Sequence, residues 1–549
     1  MRWKPVVAMV FALAAPVHGE PTKDPWGGPS RPAPSRPTLV GPRAEVRPSP
    51  KLTLPGVPAF ERPVAPAGTH SVHELHVSGR PLLGTKLRVG GYVTWIYDCV
   101  ADLQRAGQTR AQVQRTIDQD PTQCQRAKLY LGDTRDTPAE RSLWVVDVPR
   151  PFNKLEIARI PKADRTPANY PDRCELDPKK RRTMCADLAV GDYVTIEGTF
   201  ALRSPHSEAN SDGLLVWSSF QKATPPAKLV MQTVVFPPPP TLLAISTTPR
   251  TVTVTNAAAS QSITATHEGN VAYGRKAFSL AVSKFREAVK LWAGNHTAWY
   301  GMGGAQMMGN DWAASAEAFR HALELAPTEP MYAMMYGVAV YNQVLDDARN
   351  TQGKLQNVTP EAVDLDTTGL DFSRAAALLR HAVKLNDQLW RAHYYLGRIA
   401  RDGGRDKEAA EWFTKALSSG PVEAQPWIAL GELYRKWRHS ELAVAVMQEG
   451  VKHLPGPDAS DAWFVLGMAH DDLRRDDHAI DALGKALAIK PDHAKARFQR
   501  GQAYYRKRDA AAAKRDLEAF VKSNAPGLAF ERTHAQKLLL ELASKRGKR

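Results

Sequence analysis

From residue 262 onward the chain repeats itself with a period of about thirty-four residues. The best copies align on Trp299, Gly303, Phe319, Ala322 and Pro327, then on Leu396, Gly397, Ala409, Phe413, Ala416 and Pro421. They continue through Trp427, Leu430, Gly431, Tyr434, Ala443 and Pro455, then Trp463, Leu466, Gly467, Ala479, Ala486 and Pro491, and fade after Gly501, Tyr504 and Ala513. A fixed phase of aromatic, glycine, alanine and proline constrains the fold more than composition can. Glycine and alanine let two helices approach, the aromatic and leucine fill the joint between units, and proline ends the second helix.

This pattern resembles the tetratricopeptide repeat (TPR), W-x₂-L-G-x₂-Y…A-x₃-F-x₂-A…P. Seven copies start near residues 262, 296, 330, 390, 424, 460 and 494, and residues 346–371 interrupt the third. The first copy keeps Gly269, Ala281, Phe285 and Ala288 but lacks the aromatic and the proline. The resemblance implies an all-α TPR superhelix over residues 262–527, closed by a capping helix and basic tail at 528–549. In TPR proteins, positions 2, 5, 9 and 12 of the first helix face a concave groove. Carried over, they place Tyr300, Met307, Met331, Met334, Val338 and Tyr341 at an apolar beginning. Arg391, Tyr394, Arg398, Arg401 and Arg435 follow as an arginine band, and Phe464, Phe498 and Tyr505 form an aromatic far end. Methionine suits adaptable peptide contacts and arginine suits carboxylates. The expectation is a groove that binds a protein segment, acidic at the arginine band. The acidic insertion is a rival occupant of that groove.

The rest of the chain is of another kind. A length of 549 residues exceeds one compact core, and a multidomain protein is expected. Residues 1–19 read as a signal peptide: Arg2 and Lys4, then an apolar run from Val6 to Ala15 too short to span a bilayer. The expected location is the periplasm or outside, with no transmembrane segment in the mature chain. Residues 20–70 hold thirteen prolines and read as a disordered tether. Residues 71–222 carry short β-like runs at Leu82–Val89, Gly91–Val100, Ala127–Leu131, Ser142–Val148, Val190–Phe200 and Gly213–Phe220, with a helical stretch at Asp102–Asp118. A small barrel or sandwich is expected. The run Val190-Gly-Asp-Tyr-Val-Thr-Ile-Glu-Gly resembles the turn-then-strand opening of oligonucleotide/oligosaccharide-binding (OB) folds. Residues 223–261 form a second proline-rich linker, with an edge strand expected at Thr251–Thr255.

All four cysteines, Cys99, Cys124, Cys174 and Cys185, fall in the β-region. An even count in an exported chain favours two disulfides. Three pairings satisfy the count, and closure of local loops favours Cys99–Cys124 with Cys174–Cys185. Zinc is disfavoured, since no C-x₂₋₄-C pair exists.

Catalytic signatures are missing from the sequence: no G-x-S-x-G, H-E-x-x-H or G-x-x-x-x-G-K-[ST]. Ser219 and Lys222 fit S-x-x-K, at a strand end rather than a helix start. His70, His73 and His76 fit H-x₂-H-x₂-H, but Val72 and Val77 beside them predict a strand that splits the three between faces. Trp95, Tyr97, Tyr130, Trp144, Tyr193, Phe200 and Trp217 read as barrel core, with a stacking platform for sugars as the rival. The net charge of +16 is concentrated at the end, where residues 490–549 carry sixteen Lys/Arg against six Asp/Glu. That end and the loop Lys179–Arg182 could meet an anionic surface. The combined expectation is a non-enzymatic scaffold with a protein or peptide partner, no cofactor, no metal and no nucleic acid. The rival is a cell-envelope glycan-binding protein whose repeat arm recruits an enzyme.

Overall fold

The computed structural model describes residues 52–546 apart from 105–107, 121–122, 167, 175–183, 207, 227, 229, 357, 361–362, 364, 368, 421–422, 455, 524 and 526–527. The signal-like residues 1–19 and the basic loop 179–182 lie outside the described residues. The described chain falls into two compact units. One is Pro237–Pro421; the other joins Leu52–Phe236 to Val422–Arg549.

The β-region is a closed five-stranded barrel: β1 (Lys86–Ile96), β2 (Leu129–Gly132), β3 (Leu143–Val146), β4 (Tyr193–Arg203) and β5 (Ala209–Lys222). The order around it is β1-β2-β3-β5-β4, closed by β4 on β1, and every pairing is antiparallel except β3 with β5. This closed Greek-key order is the arrangement expected of an OB-like barrel. Val89, Val93, Leu129, Leu131, Leu143, Val145, Val194, Ile196 and Leu215 point inward and form its core. The two runs expected at 82–89 and 91–100 share one strand, Lys86–Ile96, because Leu87, Val89 and Val93 keep a single inward alternation through Gly90; a register shift follows between Val93 and Trp95. At the start of the long arm of β5, Gly213 has φ 93°, and a Cβ there would meet Phe200 Cζ at 2.2 Å. That corner requires glycine.

Four short helices decorate the barrel: α1 (Val72–Ser78), α2 (Cys99–Leu103), α3 (Arg110–Gln119) and α4 (Lys154–Arg159). The first corrects the strand expected around the three histidines. Ser71 and Glu74 form a capping box, and the Asp133 carboxylate accepts from the Val72 and His73 amides at 2.9 and 3.0 Å. Three satisfied N-terminal amides outweigh the β-preference of two valines. The disulfides are Cys99–Cys124 and Cys174–Cys185, with Cα atoms 5.4 and 6.2 Å apart. The first staples the start of α2 to the loop behind α3, where Tyr97, Val113 and Ile117 bury it.

Both linkers differ from the expected disorder over part of their length. Glu61–Pro63 pairs antiparallel with Met231–Thr233, so the strands entering and leaving the barrel clasp each other. Phe60, just before the first strand, is buried. Proline is tolerated because this is a two-stranded edge. Thr251–Thr255 is not a strand; Thr255 caps the helix that follows.

Among the described residues, fourteen helices make seven hairpins. The first unit holds α5 (Asn256–Gly274), α6 (Phe278–Leu291), α7 (His296–Met308), α8 (Trp312–Leu325), α9 (Pro330–Gln356), α10 (Ser373–Leu385), α11 (Trp390–Asp402) and α12 (Asp406–Ser418). The second holds α13 (Gln425–Lys436), α14 (Ser440–His453), α15 (Ala459–Asp472), α16 (Asp476–Ile489), α17 (Ala494–Arg506) and α18 (Ala510–Ser523). A last helix, α19 (Ala529–Arg546), packs on α17 and α18. The repeat glycines sit against the facing helix: a Cβ on Gly303, Gly397 or Gly467 would meet Phe319, Phe413 or Leu483 at 2.9, 2.5 and 2.6 Å. The hairpin turns share a left-handed residue, as at Lys276, Asn310, Arg438, Arg474 and Arg508. The third hairpin departs from the pattern. Its first helix, α9, runs on into the insertion as far as Gln356.

Candidate functional site

In the first unit the groove positions converge on a tyrosine–arginine cluster. The Arg398 guanidinium lies 4.8, 5.3 and 5.8 Å from the rings of Tyr341, Tyr395 and Tyr394. The Tyr341 hydroxyl donates to Asp402 Oδ2 at 2.6 Å, and Arg401 Nη2 lies 3.5 Å from Asp402 Oδ1. Burial, then the Asp402 charge, hold the Tyr341 hydroxyl well above its ordinary pKa. Arg391 stacks over Trp390 at 4.9 Å. Arg391, Arg398 and Arg401 are all half-buried. On their shared helix, α11, they stand seven and three residues apart, about two turns and one turn, which gathers them on one side.

The apolar beginning of the groove differs from the open surface expected. Tyr300, Met307, Met334, Val338 and Tyr341 are buried in the hairpin core, and Met331 is half-buried against it. Leu365 and Leu370 of the insertion and Ile245 of the second linker pack on the same cluster. Phe372 stacks on Tyr341 at 5.1 Å. The insertion therefore meets the repeats through its leucines. The methionines stand where sequence position alone put solvent because chain outside the repeat pattern covers them. Asp402, Tyr395 and Phe372 belong to the cluster and were missed. Asp402 had a signal, four residues after Arg398, whereas Tyr395 and Phe372 fall outside the groove register.

The second unit uses its predicted residues otherwise. Arg435 forms a two-pronged pair with Asp472, at 2.8 and 3.3 Å. Phe464 packs on His493 at 4.7 Å. Phe498 is buried against Phe520 and His534. Tyr505 donates to Glu541 of α19, and burial together with that carboxylate pushes its pKa up to about 12. In the first unit Glu408 pairs with Arg380 and Arg405, while Asp402 faces Arg401.

On the barrel, Trp95, Tyr130 and Trp144 stand opposite one another on β1, β2 and β3. Ring centroids are 4.6 Å apart for Trp95–Tyr130 and 5.8 Å for the stacked Tyr130–Trp144 pair. They alternate with core leucines and valines; Trp95 and Trp144 are half-buried, Tyr130 between them is 2% exposed, and the expected core role holds for Phe200 and for Trp217, which packs on the barrel core. Lys222 pairs with Asp192 at 3.1 Å rather than with Ser219. His73 is buried, and its pKa is pushed down to about 2 by burial first and by Arg438 next. The described residues contain no group of three metal-ligating side chains. No helix among them is long and apolar enough to cross a membrane.

A tetratricopeptide-repeat family profile matches residues 267–330, 369–424 and 428–494. Over these residues the hairpins are tetratricopeptide repeats. The chain is similar to the general transcriptional corepressor trfA of Dictyostelium discoideum, 25% identical over 116 residues, which is 21% of this chain and 8% of that one. It is also similar to the general transcriptional corepressor ssn6 of Schizosaccharomyces pombe, 23% identical over 125 residues, 23% of this chain and 11% of that one. The chain thus spans about a tenth of the length of these relatives. Among solved structures, YrrB, a TPR protein with an unusual peptide-binding site, is 22% identical, with 40% of this chain and 99% of that one covered at a TM-score of 0.30. Pseudomonas aeruginosa pilF is 14% identical, covering 43% and 94% at a TM-score of 0.33.

Proposed function

We propose that this TPR chain is an exported, non-catalytic scaffold whose first-unit repeats bind an extended, acidic protein segment at Arg391, Arg398 and Arg401. Repeats of this family are protein-interaction modules, which supports the scaffold role. The observation that carries the finer reading is the cluster on α11: three half-buried arginines, Arg398 among tyrosine rings, Arg391 over Trp390 and Arg401 beside Asp402. Arginine held on aromatic faces keeps its fork ordered, so less freedom is lost when a carboxylate binds. The export half of the reading rests on the leader-like residues 1–19, and the two disulfides are consistent with an oxidising compartment. The test is capture of an acidic peptide by the full chain and by Arg398→Glu/Arg401→Glu. Binding is expected to vanish in the double variant and to fall steeply with salt in the parent. If the variant unfolds the first unit, Arg391→Glu becomes the deciding variant. Full binding by it would leave the arginines as structural ties.

The half-buried Trp95 and Trp144, braced by the buried Tyr130 between them, support a second reading, in which the barrel holds a glycan on its outer face. Glycan retention by the full chain that is lost on Trp144→Ala would favour it.

A further inference from the structure

The turn between α13 and α14 is where the barrel meets the repeats of its own unit. Trp437 is 2% exposed there. The rings of Phe60, Phe236 and His73 meet it edge-on at 5.0, 5.8 and 5.9 Å. Polar contacts surround this anchor. Arg438 Nη2 donates to Asp133 Oδ2 at 2.7 Å, and Lys436 Nζ donates to the Val77 carbonyl at 3.3 Å. His439 Nε2 lies 3.0 Å from the Ala59 carbonyl oxygen. Arg141 of the barrel reaches Asp472 at 2.8 Å, the same carboxylate that holds Arg435. A buried aromatic ringed by charge-assisted bonds has the anatomy of an interface hot spot.

Two features make this seam a cover as well as a joint. Phe60 and Phe236 flank the paired strands Glu61–Pro63 and Met231–Thr233, so loosening one strand releases both rings. The covered turn is also strongly basic: Arg435, Lys436 and Arg438 surround Trp437, and the barrel answers them with Asp133. Interfaces of this kind within one chain resemble transient complexes, and motion across them is the ordinary case.

We infer that the barrel is an intramolecular cover over a basic–aromatic recognition turn, Arg435–His439, and that its release opens this turn to an acidic protein segment carrying an aromatic side chain. The incoming carboxylate takes the place of Asp133 on Arg438, and the incoming ring takes that of Phe60 on Trp437. This site is separate from the α11 arginines and stands whether or not they bind a ligand.

The test opens the seam from the barrel side in the full chain with Phe60→Ala/Asp133→Asn. Asparagine keeps an oxygen for the Val72 amide, while its NH2 in place of Oδ2 faces Arg438 and no longer accepts from the His73 amide. Hydrogen exchange at the Arg438 and His439 amides is expected to rise about tenfold or more, with β1 and β4 exchanging as in the parent. Labelled poly-glutamate should gain a binding step about tenfold tighter than any in the parent, and Arg438→Glu in the same background should remove it. Should the double variant disturb the barrel strands, Arg141→Met opens the seam through Asp472 and gives the same readouts. Unchanged exchange at the turn overturns the cover. Faster exchange without a new poly-glutamate step overturns the site.

Discussion

The same repeat is put to two uses in this chain. In the first unit, the groove-facing positions of α11 hold arginines among tyrosines, and the chain outside the pattern supplies leucines and Phe372 to the neighbouring methionines. In the second unit, Arg435 is tied to Asp472 and, through it, to the barrel's Arg141, while Phe498 and Tyr505 are taken up by α18 and α19. Motif residues inside each hairpin are alike in the two units, because they answer to helix–helix contact alone. Groove residues diverge because what they touch is set by segments that are not repeats.

The strongest way to break the comparison is Trp437→Ala. Removing a fully buried indole that seats three rings should cost the second unit about 3–5 kcal/mol and leave the first unit as it was. Urea unfolding followed by hydrogen exchange resolved along the chain measures both. Equal losses in the two units would show that they do not respond separately.

A smaller effect sharpens the contrast. Gly397→Ala places a methyl 2.5 Å from Phe413 in the first unit, and Gly467→Ala places one 2.6 Å from Leu483 in the second. Each should destabilise its own unit by about 1–3 kcal/mol. Gly484→Ala, whose nearest neighbour is Arg500 Nη1 at 3.6 Å, is the control and should be neutral or slightly stabilising. A large loss from the control would mean that close approach is not why the repeat keeps glycine.

A last expected effect is a pH dependence of the second unit in which His73 takes part. His73 faces Arg438 and Lys436 from the α13–α14 turn and Arg141 and His76 from the barrel, with Asp133 holding its amide. Its folded pKa of about 2 lies below the ordinary value of 6.5. The neutral ring's contribution is therefore complete above pH 6.5 and is lost as pH falls from there towards about 2. Between pH 7 and 4 the second unit should weaken progressively, and His73→Phe should flatten that slope. A slope unchanged by the substitution would assign the acid sensitivity to other groups.

Much of the fold was legible. The spacing of Trp, Gly, Ala and Pro located the hairpins because each residue type answers a local geometric demand, and that demand recurs every repeat. Loop length alone favoured Cys99–Cys124 and Cys174–Cys185. Less of the candidate site could be read. Position rules brought out Arg398 and Arg401 but not Tyr395, which meets Tyr341 across the α9–α11 joint, or Phe372, which stands at the end of the insertion. The strand expected around the three histidines failed because Asp133, some sixty residues away, caps the helix there.

By itself, then, the sequence determined the elements whose causes lie within about forty residues: hairpin phase, the glycines under aromatic rings, the alternating barrel strands and the local disulfides. Tertiary structure alone decided that the proline-rich ends of the barrel are an ordered clasp, that Trp437 is buried under it, and that Arg435 serves a joint while Arg398 serves a tyrosine cluster. The physical reason is that a side chain's propensity and period report its own backbone. Its burial and its charge partner depend on what distant chain is brought against it, and no local pattern encodes that.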